Sequence, residues 1–379
     1  MKIALFSESY SPYISGVSRS VELARSGLEA LGHEVFVFAS WYPGHKETDK
    51  NIIRFPSIPA KYPGFRTALP LPFIIPDTKF DIIHSNSPFG LGLLAKRFAK
   101  KSKTPYVFTF HTIFSDYLHY IPLPRVLSEK ILFNYLKRFC GSCDRIIVPN
   151  GSTLDYVKSH RITGRFAMIP SGVDTIAVEK ASGNGVRERL GIPANAKLLL
   201  YVGRLSKEKN LPFLLAAFRK ISEQCPEAIL ALAAGGPEEN GLKQLAGQLG
   251  ISGKTVFAGQ VPYPGILDVY KSADIFLFAS KTETQGLVIA EAKACGVPVV
   301  AVDARGIKES VENGEDGFLV EEDANIFCDR AVSLCRNASL KERMAANAKK
   351  NAERDFSSSS VAKRLDEVYN SLIKERNNA

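Results

Sequence analysis

The chain has 379 residues, 45% hydrophobic and 23% charged, with no long low-complexity tract, so it is globular and long enough for two domains with separate cores. No run of about 18 apolar residues occurs, so no transmembrane helix is expected. Up to Gly172 there are 22 Lys and Arg against 12 Asp and Glu, and beyond it 27 against 27. All of the net charge of +10 therefore lies in the first half, which predicts an anionic partner there, either nucleic acid or an anionic membrane.

The opening "MKIALFSES" turns polar after six residues and reads as a buried first strand, because a signal peptide needs a longer apolar stretch. Strand-like runs follow at 34–40, 81–86, 106–111, 145–150 and 166–172, with helical stretches at 17–31, 89–101, 124–140 and 151–159. Between Lys61 and Pro76 the proline-broken "KYPGFRTALPLPFIIP" cannot be a core strand throughout. Near-continuous apolar strands joined through helices predict a parallel sheet covered on both faces. After a junction at 175–195 the pattern restarts, with strands at 198–204, 229–236, 255–261, 274–280, 298–303 and 317–320. Two or three helices over 324–376 close the chain with no strand between them. The expected fold class is α/β: two Rossmann-like domains, 1–172 and 173–355, with a C-terminal helix of about 356–379 packing back on the first. Ligands of such sheets bind beyond the carboxyl ends of the strands, so the two domains are expected to face each other across a shared cleft.

Six cysteines are sparse for this length and read as reduced thiols in cytosol. Cys140 and Cys143 form one CxxC, but with no second pair and no nearby histidine they read as buried thiols at a helix end. Cys328 and Cys335, seven apart, fit one packed face of a helix.

The loops after the strands carry the chemistry. Gly16 sits before an amphipathic helix, where it either makes an ordinary turn or lets backbone N–H groups approach a phosphate or sugar. His111 ends the run "YVFTFH", as a structural histidine or a ligand contact. In "GRLSKEKN" (203–210), Arg204 and Lys209 flank a turn that opens a helix, a pairing suited to a diphosphate or to solvent. In "SKTETQGLVIAEAKACG" (280–296), Glu283 and Glu291 lie eight apart, the first in a loop and the second in a helix. Spacing along one element does not set two carboxylates on opposite sides of one bond, as an acid/base pair requires. A metal site would need more converging ligands. Two contacts on one elongated ligand remain, with the N–H groups near Gln285, Gly286 and Leu287 holding a charged middle. Hydroxyls at both ends and phosphates between describe a nucleotide sugar.

This combination of Glu-x7-Glu, "GRLSKEKN" and a glycine-containing first loop resembles the retaining glycosyltransferases of family four, with the GT-B fold, over essentially the whole chain. "LARSGLEALGHEV" and "IPSGVD" are similar to that family's first helix and interdomain segment. The resemblance implies that Glu291 binds the ribose, Glu283 the donor sugar's hydroxyls, and Arg204 and Lys209 the diphosphate. It implies that Gly16 approaches the diphosphate and that His111 contacts the sugar near the reacting carbon. It also implies that no metal is needed and that configuration is retained without an obvious enzymatic nucleophile. With Gly16 and His111 in one domain and Arg204, Lys209, Glu283 and Glu291 in the other, domain closure is expected to assemble the site. Ser15 stands where many members have a second glycine, and Gln285 where many have phenylalanine. "SKTETQGL" and the His-Thr-x-x-x-x-Tyr-x-x-Tyr pattern in "FHTIFSDYLHYIP" (110–122) resemble the subgroup that glycosylates diacylglycerol. The implied reaction moves glucose from UDP-glucose to a lipid acceptor.

From 96 to 145 there are ten cations and three anions. Lys96, Arg97, Lys100, Lys101 and Lys103 cluster first, followed by Arg125, Lys130, Lys137 and Arg138 on an apolar helix. Basic residues beside exposed apolar ones suit a peripheral protein on an anionic leaflet, here the inner face of the cell membrane. Other readings are a family-four transferase using UDP-galactose or GDP-mannose with a cell-wall, phosphoinositide or soluble acceptor, and, from another class, a basic nucleic-acid-binding protein. No recognised nucleic-acid motif supports the last.

Overall fold

A computed structural model describes residues 1–60, 64–120 and 124–378. Lys61, at the start of the proline-broken segment, and residues 121–122 of the Tyr-x-x-Tyr stretch lie outside these, as do the side chains of Tyr117 and Tyr120. The chain divides into two compact units, Met1–Gly172 with Ser358–Ala379, and Val173–Ser357.

In the first unit the strands are β1 (Lys2–Ser7), β2 (Glu34–Ser40), β3 (Ile52–Phe55), β4 (Ser57–Pro59), β5 (Arg66–Ala68), β6 (Ile82–Ser85), β7 (Tyr106–Thr109), β8 (Arg145–Val148) and β9 (Phe166–Met168). Seven of them form a parallel sheet in the order β3-β2-β1-β6-β7-β8-β9. β1 sets the register, with Ile3 opposite both Val35 and Ile82. Helices α1 (Gly16–Ala30), α2 (Gly90–Ser102), α3 (Arg125–Cys140) and α4 (Gly151–Ser159) fill the crossovers. Side chains from both sheet faces are buried, which is why these strands read as unbroken apolar runs.

Helix α1 shows how sequence fixes a boundary. Ser15 and Ser18 form a reciprocal capping box at its start. At its end Gly32, with φ +85°, accepts the left-handed turn while His33 N–H donates to the Leu28 carbonyl. The last helix, α13 (Ser358–Asn377), packs on α1 so closely that a Cβ on Gly27 would lie 2.7 Å from that of Ala362. Tyr369 of α13 reaches into the core, its hydroxyl 2.6 Å from His84 Nδ1.

The second unit has β10 (Lys197–Val202), β11 (Ala228–Ala233), β12 (Thr255–Phe257), β13 (Ile275–Phe278), β14 (Val299–Val302) and β15 (Gly317–Val320), parallel in the order β12-β11-β10-β13-β14-β15. Its helices are α5 (Thr175–Lys180), α6 (Val186–Arg189), α7 (Leu211–Gln224), α8 (Glu239–Gln248), α9 (Gly265–Ser272), α10 (Leu287–Ala294), α11 (Ala324–Arg336) and α12 (Ala338–Phe356). Helices α11 and α12 pack against α7 and α10. At the amino ends of the strands Asp274 ties α6 to α12, pairing with Arg187 at 2.8 Å and Lys341 at 2.6 Å.

Some local expectations need correcting. The short run at Ile52–Phe55 is a sheet strand that its length hid, and β5, inside the segment read as loop, pairs antiparallel with β4 just before that segment. The junction holds α5 and α6. β12 stops at Phe257 because Gly259, at φ +70°, turns the chain out of the sheet.

Candidate functional site

Each sheet reverses its strand order once, between β1 and β6 in the first unit and between β10 and β13 in the second. In open parallel sheets such a reversal leaves a crevice at the carboxyl ends of the two strands, where ligands bind. In the second unit the two flanking loops are Gly203–Asn210 and Lys281–Gly286, the two singled out by sequence.

Gly203, at φ +147°, turns the chain out of β10 where a Cβ would lie 2.7 Å from the Tyr201 hydroxyl oxygen. Leu205 N–H then bonds the Gly235 carbonyl at 3.0 Å, and a Cβ on Gly236 would lie 2.3 Å from the Leu205 carbonyl oxygen. Close backbone packing of this kind fixes Arg204 before it and Lys209 after it. Lys209 ends a single 3-10 turn, and Asn210 in the left-handed region opens α7.

Across the reversal Lys209 Nζ donates to Glu283 Oε1 at 2.5 Å, both side chains being largely buried. Burial acts to lower the Lys209 ammonium, but Glu283 and then the Tyr201 hydroxyl outweigh it, so the group is held above the ordinary lysine range and stays charged. The residues assigned separately to diphosphate and sugar are therefore partners of each other. A lysine ammonium has three donor hydrogens, so it can hold Glu283 and still offer two to phosphate oxygens.

Gly286 caps α10 with φ +75° and ψ 58°, a left-handed conformation that favours glycine. Gln285 is buried at this helix start and Leu287 is the first helical residue. Only the four steps from Leu287 to Glu291 are helical, so the axial rise over that part is about 6 Å, half of what an eight-residue helical spacing implies. Glu291 thus sits one turn into α10, where Tyr270 of α9 donates to its Oε2 at 3.1 Å. Burial, with repulsion from Glu291, pushes the Tyr270 hydroxyl well up, so it remains a donor. A carboxylate has about four acceptor positions, enough for Tyr270 and two vicinal hydroxyls.

In the first unit Gly16 begins α1, and a Cβ there would meet nothing within 4 Å. The glycine is thus not demanded by packing within its unit. The cap on Ser18 N–H comes from Ser15, which leaves the first-turn N–H groups of Gly16 and Val17 without an intrahelical acceptor. His111 follows β7, its Nε2 2.8 Å from Asn86 Oδ1 at the end of neighbouring β6. Burial pulls His111 down to about 4, so it acts as a neutral hydrogen-bonding ring. Glu8, at the end of β1, accepts from Leu91 N–H at 2.8 Å at the start of α2 and from the Ser87 hydroxyl. Its carboxyl is raised by burial, against the lowering effect of those two hydrogen bonds. Glu8, Asn86 and Tyr270 went unnoticed in the sequence. The signal for the first two was present: each is the first polar residue beyond an apolar strand next to the reversal.

The two thiols of the CxxC are free, Cys140 buried and Cys143 partly so, and burial pushes Cys140 up to about 12 and Cys143 further. Among the described residues no group of three or more His, Cys, Asp or Glu could hold a metal ion.

Two Rossmann-like units, each a parallel sheet wound by helices with one strand reversal, have the architecture of the GT-B glycosyltransferases. Residues 14–177 match Glycosyltransferase Family 4 and residues 185–351 match Glycosyl transferases group 1. The chain belongs to family four of the glycosyltransferases. It is 33% identical to the alpha-monoglucosyldiacylglycerol synthase of Streptococcus pneumoniae over 79% of this chain and 71% of that one. It is 30% identical to the protein of the same name from Acholeplasma laidlawii, over 100% and 98% of the two chains. Among solved structures, the sucrose-phosphate synthase of Thermosynechococcus elongatus superimposes with a TM-score of 0.82 over 99% of each chain at 21% identity.

Proposed function

We propose that the protein transfers glucose from UDP-glucose to 1,2-diacylglycerol, retaining the α configuration, at an anionic membrane surface. The observation that carries this reading is the Lys209–Glu283 pair at the strand reversal with Glu291 one turn into α10. The names of the two relatives support the acceptor.

In this reading Glu291 accepts from the ribose hydroxyls and Glu283 from those of the sugar. Arg204 and Lys209 offset charge on the leaving diphosphate, the part a metal ion plays in other transferases. The acceptor hydroxyl oxygen bonds to the anomeric carbon as the bond from that carbon to the diphosphate breaks, and the hydroxyl proton passes to the diphosphate. From the first unit, the amide of Gly16 is proposed to serve the diphosphate and the neutral His111 ring the sugar. An α-linked donor giving an α-linked lipid amounts to retention.

Membrane docking is supported by the surface of α2 and α3. Arg97, Lys100, Lys101, Lys103 and Lys130 are exposed and, among the described residues, without a carboxylate partner. Lys96 is drawn aside over the Phe139 ring, and Arg125 pairs with Glu129. Arg138 is exposed and Lys137 half-buried. Val126 and Ile131 on the same helix are 80% and 53% exposed, which places apolar side chains among the cations. No described helix is long and apolar enough to cross a membrane, so the attachment proposed is peripheral, on the inner face of the cell membrane.

The test is transfer from radiolabelled UDP-glucose, UDP-galactose and GDP-mannose to diacylglycerol vesicles, read as label extracted into organic solvent. Label from UDP-glucose alone is expected, rising with anionic lipid. Neutralising Lys100, Lys101 and Lys103 together should weaken vesicle binding by about tenfold to a hundredfold and leave UDP binding unchanged, each cation near such a surface contributing up to about 1 kcal/mol. Nucleotide release without organic label would discard the lipid acceptor. Label from another donor would replace the sugar.

A further inference from the structure

The loop that carries Glu283 is held from behind by a segment with no part in the site as described. After β14 the chain passes through Gly306 and Ser310 before reaching β15. Gly306 has φ +81°, and a Cβ there would lie 2.1 Å from the Glu283 carbonyl oxygen and 2.7 Å from that of Thr284. Ser310, 2% exposed, donates through Oγ to the Gln285 carbonyl at 2.6 Å. Three successive residues of the donor loop thus meet this segment at their backbone carbonyls.

The brace is itself anchored. The Ser310 carbonyl accepts from Lys293 Nζ at 2.8 Å, and Lys293 pairs with Asp316 at 2.6 Å, the two side chains being 2% and 0% exposed. Asp316 also accepts from Asn351 Nδ2 and Glu312 N–H, both at 2.9 Å. Lys293 lies on α10, two residues beyond Glu291. The donor loop, the helix that follows it and the Ser310 segment therefore close a ring of contacts.

We propose that Ser310 and Gly306 are positioning residues that fix the Glu283–Gly286 loop in the shape that reads the donor sugar. This rests on the reading of Glu283 as a contact of the sugar hydroxyls. The physical need arises at Lys209. In front, the loop is held by the Lys209–Glu283 pair, and an arriving diphosphate draws on the same ammonium through its other hydrogens, which weakens its hold on Glu283. A loop held only there would loosen as the donor binds. The Ser310 hydrogen bond and the Gly306 contact act on backbone atoms that the donor does not touch, so the loop keeps its shape while Lys209 is shared. Glu291 is on the helix and does not depend on the brace.

The test compares affinity for UDP with affinity for UDP-glucose by calorimetry on the full chain. Ser310→Ala should bind UDP within about twofold of wild type while the ratio of the UDP-glucose Kd to the UDP Kd rises about tenfold. Transfer should fall by a similar factor with the KM for lipid unchanged. Gly306→Ala, which pushes on the loop while keeping the serine, should move the ratio the same way. Glu283→Gln serves as the reference and should raise the ratio on its own. An unchanged ratio in Ser310→Ala beside a raised one in Glu283→Gln overturns the brace and keeps the sugar contact. Unchanged ratios in both overturn the sugar contact and the brace together.

Discussion

The two units share a parallel sheet wound by helices, yet they distribute charge in opposite ways. The first holds 26 Lys and Arg against 15 Asp and Glu, all six histidines, and eleven of the thirteen exposed large apolar side chains among the described residues. The second holds 23 against 24, no histidine and two such side chains. In the second unit four lysines are paired across the fold: Lys209 with Glu283, Lys293 with Asp316, Lys341 with Asp274, Lys281 with Glu322. In the first, beside pairs such as Arg25 with Asp49 and Arg54 with Glu47, several cations stand on the surface of α2 and α3 with no carboxylate partner among the described residues. One fold thus serves two tasks, because loops at the strand ends can be rebuilt separately from the helix surfaces. The second unit uses charge internally to shape a site, and the first presents it outward.

The sharpest way to break this comparison is at the buried charge of the second unit. Lys293→Met leaves Asp316 buried without its ammonium, and removing one partner of such a pair costs about 3–5 kcal/mol. Hydrogen exchange resolved by peptide should show protection lost in Val173–Ser357 and kept in the first unit. Adding Asp316→Leu should recover part of the loss, since the orphaned charge goes with it. Equal loss of protection in both units would mean that internal pairing is not what separates them.

That pair also marks the limit of what the sequence reveals. The alternation of strands and helices was legible because a strand buried on both faces writes an unbroken apolar run. Arg204 and Glu283 could be singled out because they follow such runs within a few residues, Lys209 and Gly286 because they close the same loops, and Glu291 by its spacing from Glu283. Lys293 and Asp316 are separated by more than twenty residues and look like any surface lysine and aspartate until β14 and β15 bring them together. Ser310 likewise has no local signature, since its work is done on the backbone of another loop. Partnerships across the fold, such as Lys209 with Glu283, depend on strand order, and the sequence names the residues without the order. The proline-broken segment hid β5 for the same reason: its pairing with β4, which lies before that segment, is a fact about two short stretches at once.

A smaller effect should separate the units by acid. His84 is buried, with Nδ1 at Tyr369 and Nε2 2.7 Å from Thr109 Oγ1, and burial, with repulsion from His111, pulls it down to about 3. An unfolded histidine takes its proton near 6.5, so below that pH acid favours the unfolded chain. Stability present above about 6.5 is lost as pH falls toward 3, by at most about 1.4 kcal/mol per pH unit for each such histidine. Glu8 works in the opposite sense, because its raised carboxyl takes up a proton in the folded state first. In the second unit Asp274, held low by Lys341 and Arg187 despite its burial, loses its contribution only below its ordinary value of 3.8. Exchange at pH 7 and pH 5, corrected for intrinsic rate, should therefore show protection falling in the first unit and level in the second. His84→Asn should flatten the fall, and a fall equal in both units would assign it to something other than histidine.

The smallest expected change in stability is at Gly16, and it asks whether the first unit shares in the chemistry at all. Open space around the Cβ position means that Gly16→Ala should alter stability by under about 1 kcal/mol, with alanine slightly favoured in a helical turn. Gly306 in the second unit is the contrasting case, where a methyl group collides with a neighbouring backbone. If the first-turn amides of α1 serve the diphosphate, the methyl group at Gly16 obstructs an approach that only the ligand makes. Turnover should then fall about tenfold while vesicle binding and thermal stability hold. Unchanged turnover would make Gly16 an ordinary helix start, and the first unit would supply the membrane surface and the acceptor while all the recognised diphosphate contacts lay in the second.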